Sequence, residues 1–422
     1  MAMRERLSRF RKIACLLAMG LVSGSGLAAS ASPTNGAGQA DASRQGSSSP
    51  AKGRGQLDAA SLFAKGQAAL QSGDLDSAER AFHDVLTMDP QAGAAYSNLG
   101  VIAMRRKDWN HALSLLQKAA KLEPKVSGIR LNIGLVYYHQ GEYGAAIAPL
   151  LSVVREQPDS RQARYLLGLC ELFTKHYDDA VTQLEPLWPQ ESNDVMYLYV
   201  LSIAAHNAGK NDVDERALAR LVEVGGETPE FHLILGKAYL NRYQVPEATA
   251  ELERAAAGNA NLPFLHFDLG MAYMGAGDNE RAETEFRKDI ALEPDLADNY
   301  EQLGVLYSRL QKDEEAEKAF REALERDAKS EGACLGLAKL YQKQQNLPEA
   351  LKMVDAAVRL SPETHGSHFL RGRILTQLGR QKEAQAEFAA AEKTIDKRLD
   401  KERESAGELL VPNPELKQQP PP

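Results

Sequence analysis

Cysteine is scarce in this chain, with three residues in 422, at positions 15, 170 and 334. That excludes a disulfide framework, so the fold has to be held by apolar burial. An excess of basic charge is missing too. The formal net charge is −8, which gives no general footprint for nucleic acid or anionic lipid. No H-E-x-x-H, G-x-S-x-G or P-loop sequence is present, and with them go the usual local signatures of zinc hydrolysis, serine acyl transfer and nucleotide binding. Carboxylates are plentiful, but the pattern puts them on solvent faces and no acid/base pair stands out. No enzyme activity, cofactor or metal is expected.

An apolar run stands near the start, behind basic residues. A basic stretch (Arg4, Arg6, Arg9, Arg11, Lys12) precedes an apolar run from Ile13 to Leu27, and Ala29-Ser30-Ala31 follows. This is the layout of a secretory signal peptide over residues 1–31. The run is short and broken by Gly20, Gly24 and Gly26, which favours cleavage over a membrane span. The expected location is secreted or periplasmic, with anchoring by an uncleaved signal as the alternative. Loss of residues 1–31 removes five basic residues and one acid, leaving 45 Lys+Arg against 57 Asp+Glu. Residues 32–58 are rich in Ser, Gly and Ala and read as a flexible linker. Residues 399–422 read as a charged cap and a Pro-rich disordered tail.

Between these ends the chain repeats itself every 34 residues, ten times, with no insertion. The repeats begin at 59, 93, 127, 161, 195, 229, 263, 297, 331 and 365. Position 8 is Gly in eight of them (Gly66, Gly100, Gly134, Gly168, Gly236, Gly270, Gly304, Gly372), and position 20 is Ala in all but the fifth. Position 24 is always apolar, as in Phe82, Leu116 and Phe320. Positions 4, 7, 8 and 11 make the i, i+3, i+4, i+7 stripe of an amphipathic helix. Positions 20, 24 and 27 make a second. Small residues at 8 and 20 let the two helices approach, and neither helix pair can bury its stripe without a neighbour.

The period, the small residues, the Tyr at position 11 (Tyr137, Tyr239, Tyr273, Tyr307, Tyr341) and the closing Pro (Pro90, Pro124, Pro158, Pro294, Pro362) resemble the tetratricopeptide repeat family. The resemblance implies an all-α fold, a right-handed α-solenoid of about ten tandem helix-turn-helix repeats over 59–398. Repeat 5 departs from it, with Ser202 for Gly, Asp214 for Ala and Gly225-Gly226 near its close. Either it stacks regardless, or it is a joint, in which case limited proteolysis cuts first near residues 209–228.

The resemblance also implies where a partner would lie. In this family first-helix positions 2, 5, 9, 12 and 13 face the concave groove. Carried over, they give an apolar and aromatic trough in repeats 2–7 (Leu131, Leu135, Tyr138, Tyr165, Leu169, Tyr199, Ile203, Phe267, Met271) and a basic end (Arg309, Lys339, Lys343, Arg373). The competing reading makes the apolar members core. The basic and Asn-containing clamp for acidic chaperone tails is not matched, since position 9 begins Gln67, Val101, Leu135. His232, His266 and His368 share position 4 and read as packed residues. His365 and His368 lack a third ligand for a metal.

The function expected is a non-catalytic scaffold or assembly factor in the cell envelope, binding a peptide or helix of a partner protein. The alternatives are an accessory or regulatory subunit of an envelope enzyme or polysaccharide-synthesis/export complex, and a glycan-binding solenoid. Self-association through an end or the groove stays open. No nucleic-acid partner is expected.

Overall fold

The computed structural model describes residues 58–394. The expected signal peptide, nearly all of the linker, the end of repeat 10 and the tail lie outside them. Among the described residues there are helices and no strands. Paired helices follow the 34-residue frame: Gly93–Arg105 with Trp109–Leu122 in repeat 2, Ser127–Gln140 with Tyr143–Glu156 in repeat 3, and so on to His365–Gln377 in repeat 10. The chain divides into two compact units between Gly226 and Glu227. The first unit holds repeats 1–5 and the second holds repeats 6–10.

The packing inside each repeat follows from its two small positions. A Cβ added at Gly304 would lie 2.6 Å from the Phe320 ring, and one at Gly100 would lie 2.7 Å from Leu116. Position 8 is therefore the seat of the position-24 side chain. The alanines at position 20, such as Ala112, Ala248 and Ala316, are fully buried. Several helices are capped by an acid: Asp74, Asp108 and Asp278 each accept a backbone N–H three residues on, which satisfies a donor the helix start leaves open.

Position 15, just past the first helix, is left-handed in all ten repeats. Five are glycine (Gly73, Gly141, Gly209, Gly277, Gly379) and five are not (Lys107, Lys175, Tyr243, Gln311, Gln345), with φ from 58° to 83°. The turn closes the helix with paired bonds, for example Lys107 N–H to the Met104 carbonyl and Asp108 N–H to the Ala103 carbonyl, both 2.9 Å. This is the Schellman ending.

Repeats 4 and 5 are where the pattern bends. The second helix of repeat 4 stops at Leu184, gives way to a 3-10 turn over Glu185–Leu187 and resumes for one turn at Trp188–Glu191. Pro186 and Pro189 cause this, because neither has an N–H to continue the ladder. Trp188 N–H bonds to the Glu185 carbonyl, and the Leu184 carbonyl takes the Tyr197 hydroxyl of repeat 5 instead, at 3.0 Å. In repeat 5 the two exceptional residues meet: Ser202 Oγ donates to Asp214 Oδ1 at 3.3 Å, and His206 Nδ1 lies 3.1 Å from Oδ2. The second helix then buries Val213, Asp214, Ala217 and Leu221, while Leu218, the position-24 residue, is only half-buried. A serine where glycine should be leaves less room for that leucine.

Candidate interaction surfaces

The expected trough divides by burial. In the first unit Leu135, Tyr138, Leu169, Tyr199 and Ile203 are at most 5% exposed. In the second, Phe267 is 0% and Met271 5% exposed. These side chains are packed between successive helices and offer no open apolar surface. Tyr138 shows why: its ring lies 5.5 Å from Tyr143 and 6.3 Å from Phe173 of the next repeat. Phe267 packs on Phe286 at 5.8 Å. Position spacing could not distinguish groove from core here, because a residue facing the concave side is also covered by the first helix of the next repeat. Leu131 and Tyr165 stay half-buried, and burial pushes the Tyr165 phenol well above its ordinary range.

The basic residues behave differently. Arg309, Lys339, Lys343 and Arg373 are all exposed. Lys343 is held by both carboxylate oxygens of Asp313 at 2.7 Å. Arg309, Lys339 and Arg373 have no ion-pair partner among the described residues. They stand at positions 13, 9 and 9 of the first helices of repeats 8, 9 and 10, where Lys339 and Lys343 share a face at i, i+4. The Gln342 amide donates to Gln377 Oε1 at 2.8 Å, tying repeat 9 to repeat 10 alongside them.

Two polar arrangements escaped the sequence reading. Lys237 of repeat 6 reaches Asp268 of repeat 7 at 2.6 Å, with both residues buried. A cation at a groove position is therefore spent inside the stack, and removing either partner would leave a buried charge unpaired. Position 11 carries a second device. The hydroxyls of Tyr273, Tyr307 and Tyr341 donate to Glu253, Glu283 and Glu317 of the preceding repeat at 2.8–2.9 Å. Burial and the adjoining glutamates raise Tyr273 and Tyr307 to about 12. In repeat 4 this slot holds Glu171, which is buried with one unbonded oxygen. Burial and then Asp179 push its carboxyl up to about 8.

Ser202, Asp214 and His206 are residue types of a nucleophile relay; here the Ser202 hydroxyl donates to one oxygen of Asp214, His206 meets the other, and Ser202 is 0% exposed. Burial pushes the thiols of Cys170 and Cys334 up, away from the reactive thiolate. His365 Nδ1 lies 3.0 Å from the Ala391 carbonyl, and His368 is engaged by Glu387. No group of three metal-ligating side chains occurs among the described residues. No described helix is long and apolar enough to cross a membrane.

Family profiles agree with this architecture. Family profiles described as tetratricopeptide repeat match residues 63–125, 335–398 and 297–330. A profile described as anaphase-promoting complex, cyclosome, subunit 3 matches residues 129–187. The chain is a tetratricopeptide repeat protein, an all-α array of tandem repeats whose class serves protein–protein interaction. No curated protein matches it. Among solved structures it is similar to a tetratricopeptide repeat protein from Parabacteroides merdae, at 21% identity and TM-score 0.47, over 56% of this chain and 93% of that one. It is also similar to yeast Tom70, at 14% identity and TM-score 0.41, over 86% and 99% of the two chains.

Proposed function

We propose that this protein is a non-catalytic scaffold or assembly factor of the cell envelope, and that repeats 8–10 hold an acidic segment of a partner protein. The observation that carries this reading is the row Arg309, Lys339 and Arg373: exposed cations without ion-pair partners among the described residues, on the first helices of three successive repeats, in a chain of net negative charge. Charges left open on an interaction fold steer and select a complementary partner. An acidic segment would lie along this row, with Lys343 able to exchange Asp313 for the ligand. Leu131 and Tyr165, half-buried in the other unit, are the members of the expected apolar trough still open to contact. Export rests on the layout of residues 1–31.

The test is affinity capture from envelope extract with residues 32–422, beside an Arg309→Glu/Lys339→Glu/Arg373→Glu variant whose circular dichroism matches wild type. The wild type should retain a protein that the variant loses, and added salt should weaken that capture. Equal capture by both forms would overturn the reading and direct the search to Leu131 and Tyr165, the linker and the Pro-rich tail.

A further inference from the structure

Position 4 carries a device that recurs along the chain. Its side chain reaches back six residues to the carbonyl of the proline that closes the preceding repeat. Arg130 donates to the Pro124 carbonyl. Arg164 Nε donates to that of Pro158 at 2.5 Å, and the Tyr300 hydroxyl to that of Pro294 at 3.1 Å. In repeat 10 the same bond is made by His368, whose Nε2 lies 2.8 Å from the Pro362 carbonyl. Guanidinium and phenol groups carry their donor proton throughout the physiological pH range, whereas a histidine does so conditionally.

His368 uses its other nitrogen as well. Nδ1 lies 2.7 Å from Glu387 Oε2. A carbonyl and a carboxylate only accept hydrogen bonds, so making both bonds at once takes a proton on each ring nitrogen. The surroundings fit that charge. Arg371, on the same helix, bonds the other oxygen of Glu387 and reaches Asp355 of the preceding repeat at 2.6 Å. Two cations then face two carboxylates. Glu331, on repeat 9's first helix, already accepts from Ser361 at 2.7 Å and Ser367 at 3.4 Å. His365 is turned away to the Ala391 carbonyl. His232 and His266 share the glutamate half of the arrangement, with Nδ1 2.6 Å from Glu251 and Glu285. The repeats before them close on Gly226 and Ala260 rather than on proline.

We propose that His368 is a proton-dependent tie between repeats 9 and 10. While the ring is protonated it holds Pro362 and Glu387 together. When the proton leaves, one N–H remains and one of the two bonds is lost. The network then carries an unbalanced carboxylate, and the start of the His365–Gln377 helix loosens against the end of repeat 9. Repeats 3, 4 and 8 make the same carbonyl bond with Arg or Tyr and have no such dependence.

The experiment is amide hydrogen exchange by mass spectrometry on the full chain at about pH 5.5 and about pH 8, corrected for the intrinsic rate change, for wild type, His368→Arg and His368→Tyr. Wild-type protection over residues 361–370 should fall about fivefold or more at the higher pH. The same segment in His368→Arg should stay level, and the equivalent segments of repeats 4 and 8 should not move. Wild-type protection that is constant with pH, or an equal fall in His368→Arg, would overturn the proposal. If neither variant folds, the ring nitrogen shifts of His368 in nitrogen-15-labelled wild type decide it. Two protonated nitrogens at about pH 6 support the tie, and a neutral ring at that pH refutes it.

Discussion

At Tyr243 the backbone adopts φ 58° while the side chain is 73% exposed. A left-handed conformation crowds Cβ against the following carbonyl, and an exposed ring gains little packing in return. The residue is there although the turn favours glycine. Tyr243→Gly should raise stability in urea by about 0.5–1 kcal/mol, once the added freedom of the unfolded chain is offset. Tyr243→Val should lower it by about 1 kcal/mol or more, because a β-branched residue suits this region worst. A glycine variant no more stable than wild type would show that the tyrosine makes contacts worth as much as the strain. Lys107, Lys175, Gln311 and Gln345 occupy the same conformation, so Tyr243 is one of five comparable sites.

Repeat 5 shows how an element can keep its fold while leaving the pattern. Ser202 and Asp214 each break the rule for their position, and together they make a buried polar network with His206. Asp214→Ala alone should lower the melting temperature, at about 1–3 kcal/mol, because it removes the buried carboxylate that Ser202 and His206 both bond. The double change Ser202→Gly/Asp214→Ala restores the glycine and alanine of the other repeats and should recover most of that loss. A double variant as unstable as the sum of the singles would mean the two residues act independently. The helix pairs and the seat of position 24 on position 8 were legible in the sequence, because both rest on side-chain size at fixed spacing. The left-handed turn was half-legible: glycine stands there at 73, 141, 209, 277 and 379, but Lys and Gln elsewhere hide the period. The trough was not legible. Leu135 and Phe267 read alike whether they face a ligand or the next helix, and only the stack settles that they are covered. Nor could spacing reveal that Lys237 is consumed by Asp268, since the partners are 31 residues apart.

Across the whole molecule the division between Gly226 and Glu227 falls at the close of the repeat with the weakest pattern. Gly225-Gly226 gives the chain no side chain to anchor there. Limited proteolysis should cut first within residues 209–228 and leave two protected fragments. Uniform resistance across that window would mean repeat 5 is as well held as its neighbours. The indel-free frame has a further consequence. Ten units of identical length make the chain a one-dimensional lattice, in which each junction serves as a control for the others. The bond that Arg130, Arg164, Tyr300 and His368 make at one lattice point is a substitution series already present within a single molecule. Exchanging whole 34-residue blocks would rearrange that series without disturbing the frame that displays it.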